Sequence, residues 1–210
     1  PLHSILGFSE VLRDATGLSE KQHRWAGNIH TSGEQLMALI NDILDLAKIE
    51  AGRMQVSVST FDVADACEGV LTMFRAMAEK KNIDLRGQVA PGLPKARQDM
   101  VKVQQILNNL ISNAIKYNRA GGSVTLSCEH SSPTRLRLKV TDTGAGIAKE
   151  NLALAFVPFE RLGADRTDIE GSGIGLALSR RLAEAMGGEA SLAARSSHPA
   201  DPPAVTMTAV

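Results

Sequence analysis

The sequence predicts an α+β protein, in which an antiparallel helical hairpin is followed by a second domain of α/β type. The hairpin is predicted from a stretch of about thirty proline-free residues near the N-terminus, in which apolar residues recur at helical spacing. The second domain is predicted because helical and strand-like patterns alternate from Gly52 to the C-terminus. We therefore expect two domains, residues 1–52 and residues 53–210.

The long helix of the hairpin is predicted from Ser19, a suitable N-cap, to Ala51, with Gly52 at the point where a helix would stop. Its apolar seam alternates steps of four and three residues, as a heptad repeat does, and consists of Trp25, Ile29, Ser32, Leu36, Leu39, Ile43 and Leu46. A single helix cannot bury such a stripe, so the seam requires a partner helix.

A shorter helix at the N-terminus is expected to supply part of that partner. Its helical spacing is carried by Leu2, Ile5, Leu6, Ser9 and Leu12, and the turn at residues 14–17 separates it from the long helix. Because the two helices are unequal, we expect an N-terminally truncated hairpin whose seam stays partly uncovered. The uncovered seam predicts a homodimer built as a four-helix bundle. A monomeric hairpin packed on the following domain is the alternative.

The second domain alternates strands and helices. Strands are predicted at residues 54–58, 83–89, 124–128, 136–140, 190–194 and 204–210. Helices are predicted at residues 63–80, at 99–117 and in a segment that ends near Met186. Residues 91–94 and 195–203 are predicted as loops, and glycines punctuate residues 144–175.

Composition and charge exclude several classes of protein. Lys and Arg number 23, as do Asp and Glu, and aromatic residues make up 3% of the chain. Neutral charge and few aromatic rings argue against a nucleic-acid-binding protein. No apolar run is long enough to span a bilayer, so we expect no membrane contact by these residues and a cytoplasmic location, although the parent protein can still be membrane-anchored. Two cysteines are too few for a disulfide framework or a zinc site.

One cluster of polar residues lies on the helix predicted at residues 99–117. Asn109, Asn113, Lys116 and Tyr117 share a face of this helix, whose other face is apolar. Amide oxygens are hard, neutral ligands that suit Mg²⁺, and a lysine nearby suits a phosphate. A solvated polar face is the alternative interpretation of this cluster.

A second cluster follows the strand predicted at residues 136–140. Asp142, Gly144 and Gly146 place a carboxylate at a strand end and two glycines directly after it. This arrangement lets a flat ligand approach the backbone while the carboxylate accepts its hydrogen bond. A simple turn is the alternative, because this short pattern arises often by chance.

A third cluster opens the last helix. Gly171, Gly173 and Gly175, followed by Leu176, leave backbone N–H groups accessible at a helix N-terminus, where an anion is stabilised. A dinucleotide-binding fingerprint is excluded, because that motif has a different glycine spacing and belongs to the first strand–helix turn of its fold.

The order of these clusters closely resembles the N, G1, F and G2 boxes of sensor histidine kinases, with the segment from Phe156 to Arg161 as the F box. Residues 1–10 and 39–52 resemble the dimerisation and phosphoacceptor hairpin of the same family. The resemblance covers essentially the whole chain. It implies that the second domain is the α/β sandwich shared by gyrase-type and histidine-kinase ATP-binding domains.

The resemblance also implies roles for individual residues toward ATP and Mg²⁺. Asn113 is similar to the Mg²⁺ ligand, with Asn109 beside it, Lys116 to the phosphate contact and Tyr117 to the residue that flanks the nucleotide. Asp142 is similar to the carboxylate that recognises the adenine amino group, in a pocket shaped by Gly144 and Gly146. Gly171, Gly173 and Gly175 resemble the turn that closes the ATP lid, roughly residues 147–172. Arg161 is expected to reach the γ-phosphate, and Arg166 is a second candidate for this contact.

The implied activity is that of a histidine kinase core, which phosphorylates a histidine with ATP and passes the phosphoryl group to an aspartate of a response-regulator receiver domain. Gyrase-type ATPases carry Glu where this chain has Asn109, and an amide cannot act as the base that activates water. The site therefore resembles one that transfers phosphate rather than one that hydrolyses ATP.

The acceptor histidine of the family is expected outside this sequence. It lies in a His-Glu-x-Arg-Thr-Pro-Leu pattern, whose end matches Pro1 and Leu2, so it would stand five residues before Pro1. None of the histidines present, which are His3, His23, His30, His130 and His198, is marked as an acceptor. A nucleotide-binding signalling scaffold or pseudokinase that acts through partner binding is the alternative function.

Overall fold

The structure, a computed structural model, describes residues 1–162, 171–193 and 204–209. The chain divides into two compact units, Pro1–Ala47 and Lys48–Val210. The first contains helix α1 (Leu2–Asp14) and most of α2 (Glu20–Glu50). The helices of the second are α3 (Val63–Lys80), α4 (Met100–Lys116) and α5 (Gly175–Ala185). Its strands are β1 (Ser59–Phe61), β2 (Asp84–Val89), β3 (Ala96–Gln98), β4 (Ser123–Ser132), β5 (Arg135–Asp142), β6 (Glu189–Ala193) and β7 (Ala204–Ala209).

Both ends of α2 form where the sequence places them. The backbone N–H of Ser19 donates to Gln22 Oε1 at 2.8 Å, and the Gln22 N–H donates back to Ser19 Oγ at 3.4 Å. This reciprocal pair satisfies donors that a helix start otherwise leaves free. Gly52, at φ +66°, ends the helix in the left-handed conformation that glycine adopts without strain.

Within the first unit, α1 does not pack along the predicted seam. It packs on the face that carries Ala26 and Gly33, which are buried. The approach is close, because a Cβ on Gly33 would stand 2.8 Å from Leu6 Cδ2. The seam residues Trp25 and Leu36 stay 50% and 47% exposed. The expectation that α1 covers part of the seam is therefore wrong, because a helix packs most closely where the small residues allow it.

The second unit contains a five-stranded sheet in the order β2-β4-β5-β7-β6. β2 pairs with β4 in parallel, and the other neighbours are antiparallel. β1 and β3 form a separate antiparallel ribbon. The strand expected at residues 54–58 is wrong, since these residues have no strand partner and the strand begins at Ser59. Strand β3 was not predicted from the sequence, because three residues show too little alternation.

Helices α3, α4 and α5 supply the apolar layer that packs with the sheet. α4 contacts α3 and α5, and its apolar side is fully buried at Ile106, Leu107 and Ile111. Alternate residues along the strands, such as Leu126 and Val140, are buried as well. This period of two along the strands and of about 3.6 along the helix is the pattern that predicted the elements. The opposite face of α4 is left for polar residues.

None of the helices in the described part of the chain is both long and apolar enough to cross a membrane. The loop expected at residues 195–203 lies outside the described residues.

Candidate functional site

The polar face of α4 carries the first group of candidate residues. Asp99 caps the helix, accepting from the Lys102 N–H at 3.1 Å, and the helix continues to Lys116. Asn109 and Asn113 are half-buried, while the C-cap residue Tyr117 is 39% exposed. One face of a single helix therefore presents two carboxamides, an ammonium group and a phenol over about two turns, as the sequence predicts.

Asn109 contacts the beginning of α5. Its Nδ2 lies 3.4 Å from the Gly175 carbonyl oxygen and 3.5 Å from Ser179 Oγ. A Cβ on Gly175 would stand only 3.2 Å from Asn109 Oδ1, so the absence of a side chain permits this approach. Ser179 is buried and was not among the predicted residues. Its position one turn after Gly175 is the signal that could have identified it.

Tyr117 lies next to glycines of both other clusters. Its backbone oxygen would stand 2.6 Å from a Cβ on Gly144, and its hydroxyl would stand 3.6 Å from a Cβ on Gly171. The three clusters are separated in sequence by up to sixty residues or so, yet each has a member beside α4 or its C-cap. The structure thus brings the predicted clusters together beside the C-terminal half of α4.

Asp142 ends β5, and its Oδ1 accepts a hydrogen bond from the Gly144 N–H at 2.8 Å. Burial raises the pKa of this carboxyl above its ordinary value, and the Gly144 hydrogen bond opposes the shift. Among the described residues this is the one hydrogen bond to the carboxylate, which leaves its remaining lone pairs for a ligand. Gly146 follows in the left-handed region, at φ +69°.

Thr143 stabilises the neighbouring turn through hydrogen bonds, and it was not among the predicted site residues. Its hydroxyl accepts from the Ser123 N–H at 2.8 Å and donates to Asn118 Oδ1 at 3.1 Å. Asn118 Nδ2 in turn donates to the Ser123 carbonyl at 2.9 Å. This network joins the turn after α4 to the start of β4, and so fixes Asp142 relative to α4.

The glycine turn before α5 is held by Phe159. The Phe159 N–H donates to the Gly173 carbonyl at 3.0 Å. Gly173 has φ +72°, and a Cβ there would stand 2.8 Å from the Phe159 carbonyl carbon. Ser172 Oγ accepts from the Ile174 N–H at 3.3 Å, so the turn and the start of α5 are ordered together. The first backbone N–H groups of α5 have no partner within the helix, which is the arrangement that stabilises an anion at a helix N-terminus.

The remaining predicted residues lie on α4, after Phe159 or in the first turn of α5. The side chains of Asn113 and Lys116 make no hydrogen bond or ion pair with the described residues. Arg161 is half-buried two residues after Phe159, and Leu176 is half-buried in the first turn of α5. Arg166 and part of the predicted lid, residues 163–170, lie outside the described residues.

The side chains of this site can bind Mg²⁺ only together with oxygen atoms of a bound ligand. Within the described ranges there is no group of three or more His, Cys, Asp or Glu side chains that would hold a metal by itself. The Asn113 carboxamide offers one neutral hard oxygen, and Mg²⁺ commonly takes one or two protein oxygens together with phosphate oxygens and water. The residues therefore fit Mg²⁺ delivered with a polyphosphate.

Comparison with known proteins agrees with this arrangement. Residues 98–208 match the family of histidine kinase-, DNA gyrase B- and HSP90-like ATPases, and residues 1–52 match the His Kinase A phospho-acceptor domain. The chain is 37% identical over 191 residues to the histidine protein kinase DivJ of Caulobacter vibrioides, covering 90% of this chain and 32% of DivJ. It spans between 22% and 37% of the length of three such curated relatives.

Solved structures share the fold. The full-length structure of ShkA in complex with AMPPNP superposes with a TM-score of 0.84 at 29% identity, covering all of this chain and 42% of ShkA. The histidine kinase ThkA in complex with the response regulator protein TrrA superposes with a TM-score of 0.69 at 19% identity, covering 99% of this chain and 57% of that chain.

The two domain matches agree with the structure, in which a glycine-rich turn lies against the asparagine face of α4. This chain is therefore a member of the histidine kinase-, DNA gyrase B- and HSP90-like ATPase family, and it consists of the phosphoacceptor and ATP-binding domains of a sensor histidine kinase.

Proposed function

We propose that this chain is the catalytic core of a histidine autokinase, with residues 1–52 as the dimerisation and phosphotransfer hairpin and residues 53–210 as the catalytic domain. The core binds Mg-ATP, phosphorylates a histidine of the dimer and passes the phosphoryl group to a response-regulator aspartate. The observation that carries the proposal is the meeting of three clusters beside the C-terminal half of α4. Asn109 lies against Gly175, and Tyr117 lies beside Gly144 and Gly171.

Asp142 recognises the adenine ring in this proposal. Its carboxylate accepts a hydrogen bond from the exocyclic amino group, while Gly144 and Gly146 let the flat ring approach the backbone. Two observations support this role: the carboxylate is partly buried, and its one hydrogen bond in the described part of the chain comes from Gly144. Tyr117 flanks the nucleotide from the C-terminus of α4.

The phosphates lie between α4 and the start of α5. The backbone N–H groups that follow Gly171, Gly173 and Gly175, through Leu176, stabilise the phosphate charge. Lys116 and Arg161 add positive charge, as does Arg166. Asn113 holds Mg²⁺, which when bound neutralises phosphate charge during the transfer.

The site is suited to phosphoryl transfer rather than to hydrolysis. Asn109 is an amide whose Nδ2 is directed at Gly175 and Ser179, and an amide cannot take a proton from water. A positioned imidazole is a nucleophile that needs no such base. ATP is thus held until an acceptor histidine arrives.

We place the acceptor before Pro1, since the four histidines in the described part of the chain have other surroundings. His30 Nδ1 lies 3.1 Å from Ser9 Oγ and its Nε2 3.5 Å from Glu34, inside the hairpin. His23 Nδ1 lies 3.1 Å from the Arg13 carbonyl oxygen. His3 is exposed but occupies a position that the family fills with other polar residues, and His130 lies in β4, in the other unit.

Two partners follow from the proposal. The exposed seam of α2 is buried against a second copy in a four-helix bundle, which makes the core a homodimer. A receiver domain of a response regulator takes the phosphoryl group, as the complex of ThkA with TrrA suggests for a protein of this fold. The reaction takes place in the cytoplasm, where ATP and the regulator are available.

The test compares two polypeptides, this chain and the parent protein that includes the residues before Pro1. Both are incubated with Mg²⁺ and ATP labelled at the γ-phosphate, and acid-labile, base-stable phosphate is measured. We expect both to bind ATP and only the longer protein to be labelled, with loss of label when Asn113→Ala is introduced.

A scaffold or pseudokinase gives a different result. If the longer protein binds Mg-ATP but acquires no phosphohistidine, the autokinase proposal fails and the scaffold function replaces it. If neither polypeptide binds ATP by calorimetry, both functions fail.

A further inference from the structure

The described part of the second unit contains a cavity far from the candidate ATP site. It has a volume of about 350 Å³ and lies where the β1–β3 ribbon, the start of α4 and the hairpin between β4 and β5 meet. This volume is within the range of pockets that hold small molecules. Arg135 on the cavity rim and Asp142 are at opposite ends of β5, about 24 Å apart at ~3.4 Å per residue, and Leu138, the lining residue of β5 nearest to Asp142, is about 14 Å from it.

The inner wall of the cavity is apolar. Val103 of α4 and Leu138 of β5, both buried, form part of it, and Phe61 and Leu136 are half-buried there. These side chains lie at the border of the hydrophobic core between the sheet and the helices, and at the cavity this border is partly open to solvent. Burial of this apolar surface by an apolar part of a ligand would favour binding.

The rim of the cavity is positively charged. Lys95, Arg97 and Arg135 line it and are exposed, as is His130, and none of the described lining residues carries a carboxylate. The side chains of the three cations form no ion pair or hydrogen bond within the described part of the chain. By contrast, the neighbouring Arg137 lies 3.7 Å from Glu129. A rim with three unpaired cations and no acid favours an anion.

From this combination we propose that the cavity is a binding site for a small organic acid, whose apolar body lies on Phe61, Leu136 and Leu138 and whose anionic head group is bound by Arg97 and Arg135. A guanidinium group suits a carboxylate or a phosphate head equally, because both present paired oxygens to its fork of N–H donors. A neutral molecule of the same shape lacks this contact. The site is independent of the function proposed above, since nucleotide binding has no part in it.

The experiment titrates decanoate, decyl phosphate and the neutral decanol into the full chain, with backbone amide shifts measured by NMR. We expect the two anions to bind and to shift amides of β1, β3 and the start of β5, and decanol to bind about tenfold more weakly or worse. Preference for decanoate over decyl phosphate, or the reverse, identifies the head group.

Variants test the charge and the cavity separately. The double variant Arg97→Gln, Arg135→Gln should weaken anion binding about tenfold or more, while Arg75→Gln, an exposed arginine on α3, should leave it unchanged. Leu136→Trp should fill the cavity and weaken both anions and decanol. Equal binding of decanoate and decanol overturns the proposal. So do anion affinities that survive the double variant, or shifts confined to α1 and α2.

Discussion

The backbone of Phe159 lies against Gly173, with 3.0 Å between the Phe159 amide nitrogen and the Gly173 carbonyl oxygen. The two residues stand on either side of residues 163–170 in sequence. Their contact therefore joins the segment after β5 to the turn that begins α5, and it depends on a residue without a side chain.

Replacing this glycine should disorder the turn. Gly173→Ala places a Cβ 2.8 Å from the Phe159 carbonyl carbon and forces a side chain into φ +72°. We expect a loss of roughly 1–3 kcal/mol in the free energy of unfolding of the second unit and weaker ATP binding. Urea unfolding followed by circular dichroism, and calorimetry, measure the two effects.

Gly69→Ala is the matched control. Gly69 is exposed inside α3, and a Cβ there meets nothing within 4 Å. This change should stabilise the protein by about 0.5–1 kcal/mol, because alanine favours a helix. Similar effects of the two substitutions would show that the contact with Phe159 is unimportant.

Asp142→Asn should weaken nucleotide binding and stabilise the fold at neutral pH. Burial raises the pKa of Asp142 in the folded state above the ordinary value of 3.8, so the folded protein binds more protons than the unfolded chain between the two pKa values. Stability therefore falls as the pH rises through this window, and the neutral amide avoids that penalty.

The measurement is thermal unfolding as a function of pH. The gain in melting temperature of Asp142→Asn over the unchanged protein should be present at pH 7 and should shrink as the pH falls toward 3.8. A gain that stays constant with pH, or a variant that keeps its affinity for ATP, would contradict the role of this carboxylate.

Asn113→Ala should abolish the part of nucleotide affinity that depends on Mg²⁺. The side chain makes no bond to the described residues, so its removal should leave the melting temperature nearly unchanged. Calorimetric titrations with ATP are compared with and without Mg²⁺. Gln104→Ala, a half-buried amide earlier on α4, is the control that should behave as the unchanged protein does. Unaltered Mg²⁺ dependence in Asn113→Ala would refute the assignment.

Leu36→Asp should yield monomers. Leu36 is 47% exposed in the single chain, so we expect the charge to disturb the hairpin itself less than it disrupts an apolar interface between copies. Light scattering after size-exclusion chromatography gives the mass. Asn41→Asp, exposed on α2 outside the seam, should remain dimeric. A dimer that persists in Leu36→Asp would exclude the seam as the interface.

Cys67 and Cys128 should be inert in the folded protein. Burial raises the pKa of Cys67 to about 12 and that of Cys128 to about 11, so the reactive thiolate is scarce at neutral pH. A thiol reagent at pH 7 should label both only after denaturant is added. Rapid labelling of the native protein would show that this part of the core opens readily.

Elements with a strong repeating pattern were predictable from the sequence. The helix expected at residues 63–80 is confirmed as α3, and the alternation at Val124 and Leu126 is confirmed in β4. A regular apolar period determines which face is buried, whatever the partner is. The same pattern was misleading at residues 54–58, where alternation occurs without a strand to pair with.

The site residues were predictable as types but not as neighbours. Asn113, Asp142 and Gly173 each stand in a local motif whose chemistry can be read from the sequence alone. Ser179 and Thr143 carry no such motif, and only their long-range hydrogen bonds reveal them. Contacts of this kind depend on how segments that are distant in sequence pack together, and a short stretch of sequence carries no information about its distant partners.

The sequence by itself determined the two-part α+β organisation, the three polar clusters and the family resemblance, because these depend on local periodicity and on short motifs. The tertiary structure decided that α1 packs on Gly33 rather than on the seam, and that Tyr117 stands beside both Gly144 and Gly171. These outcomes depend on close packing between distant segments, where the absence of a single Cβ determines which surfaces can meet.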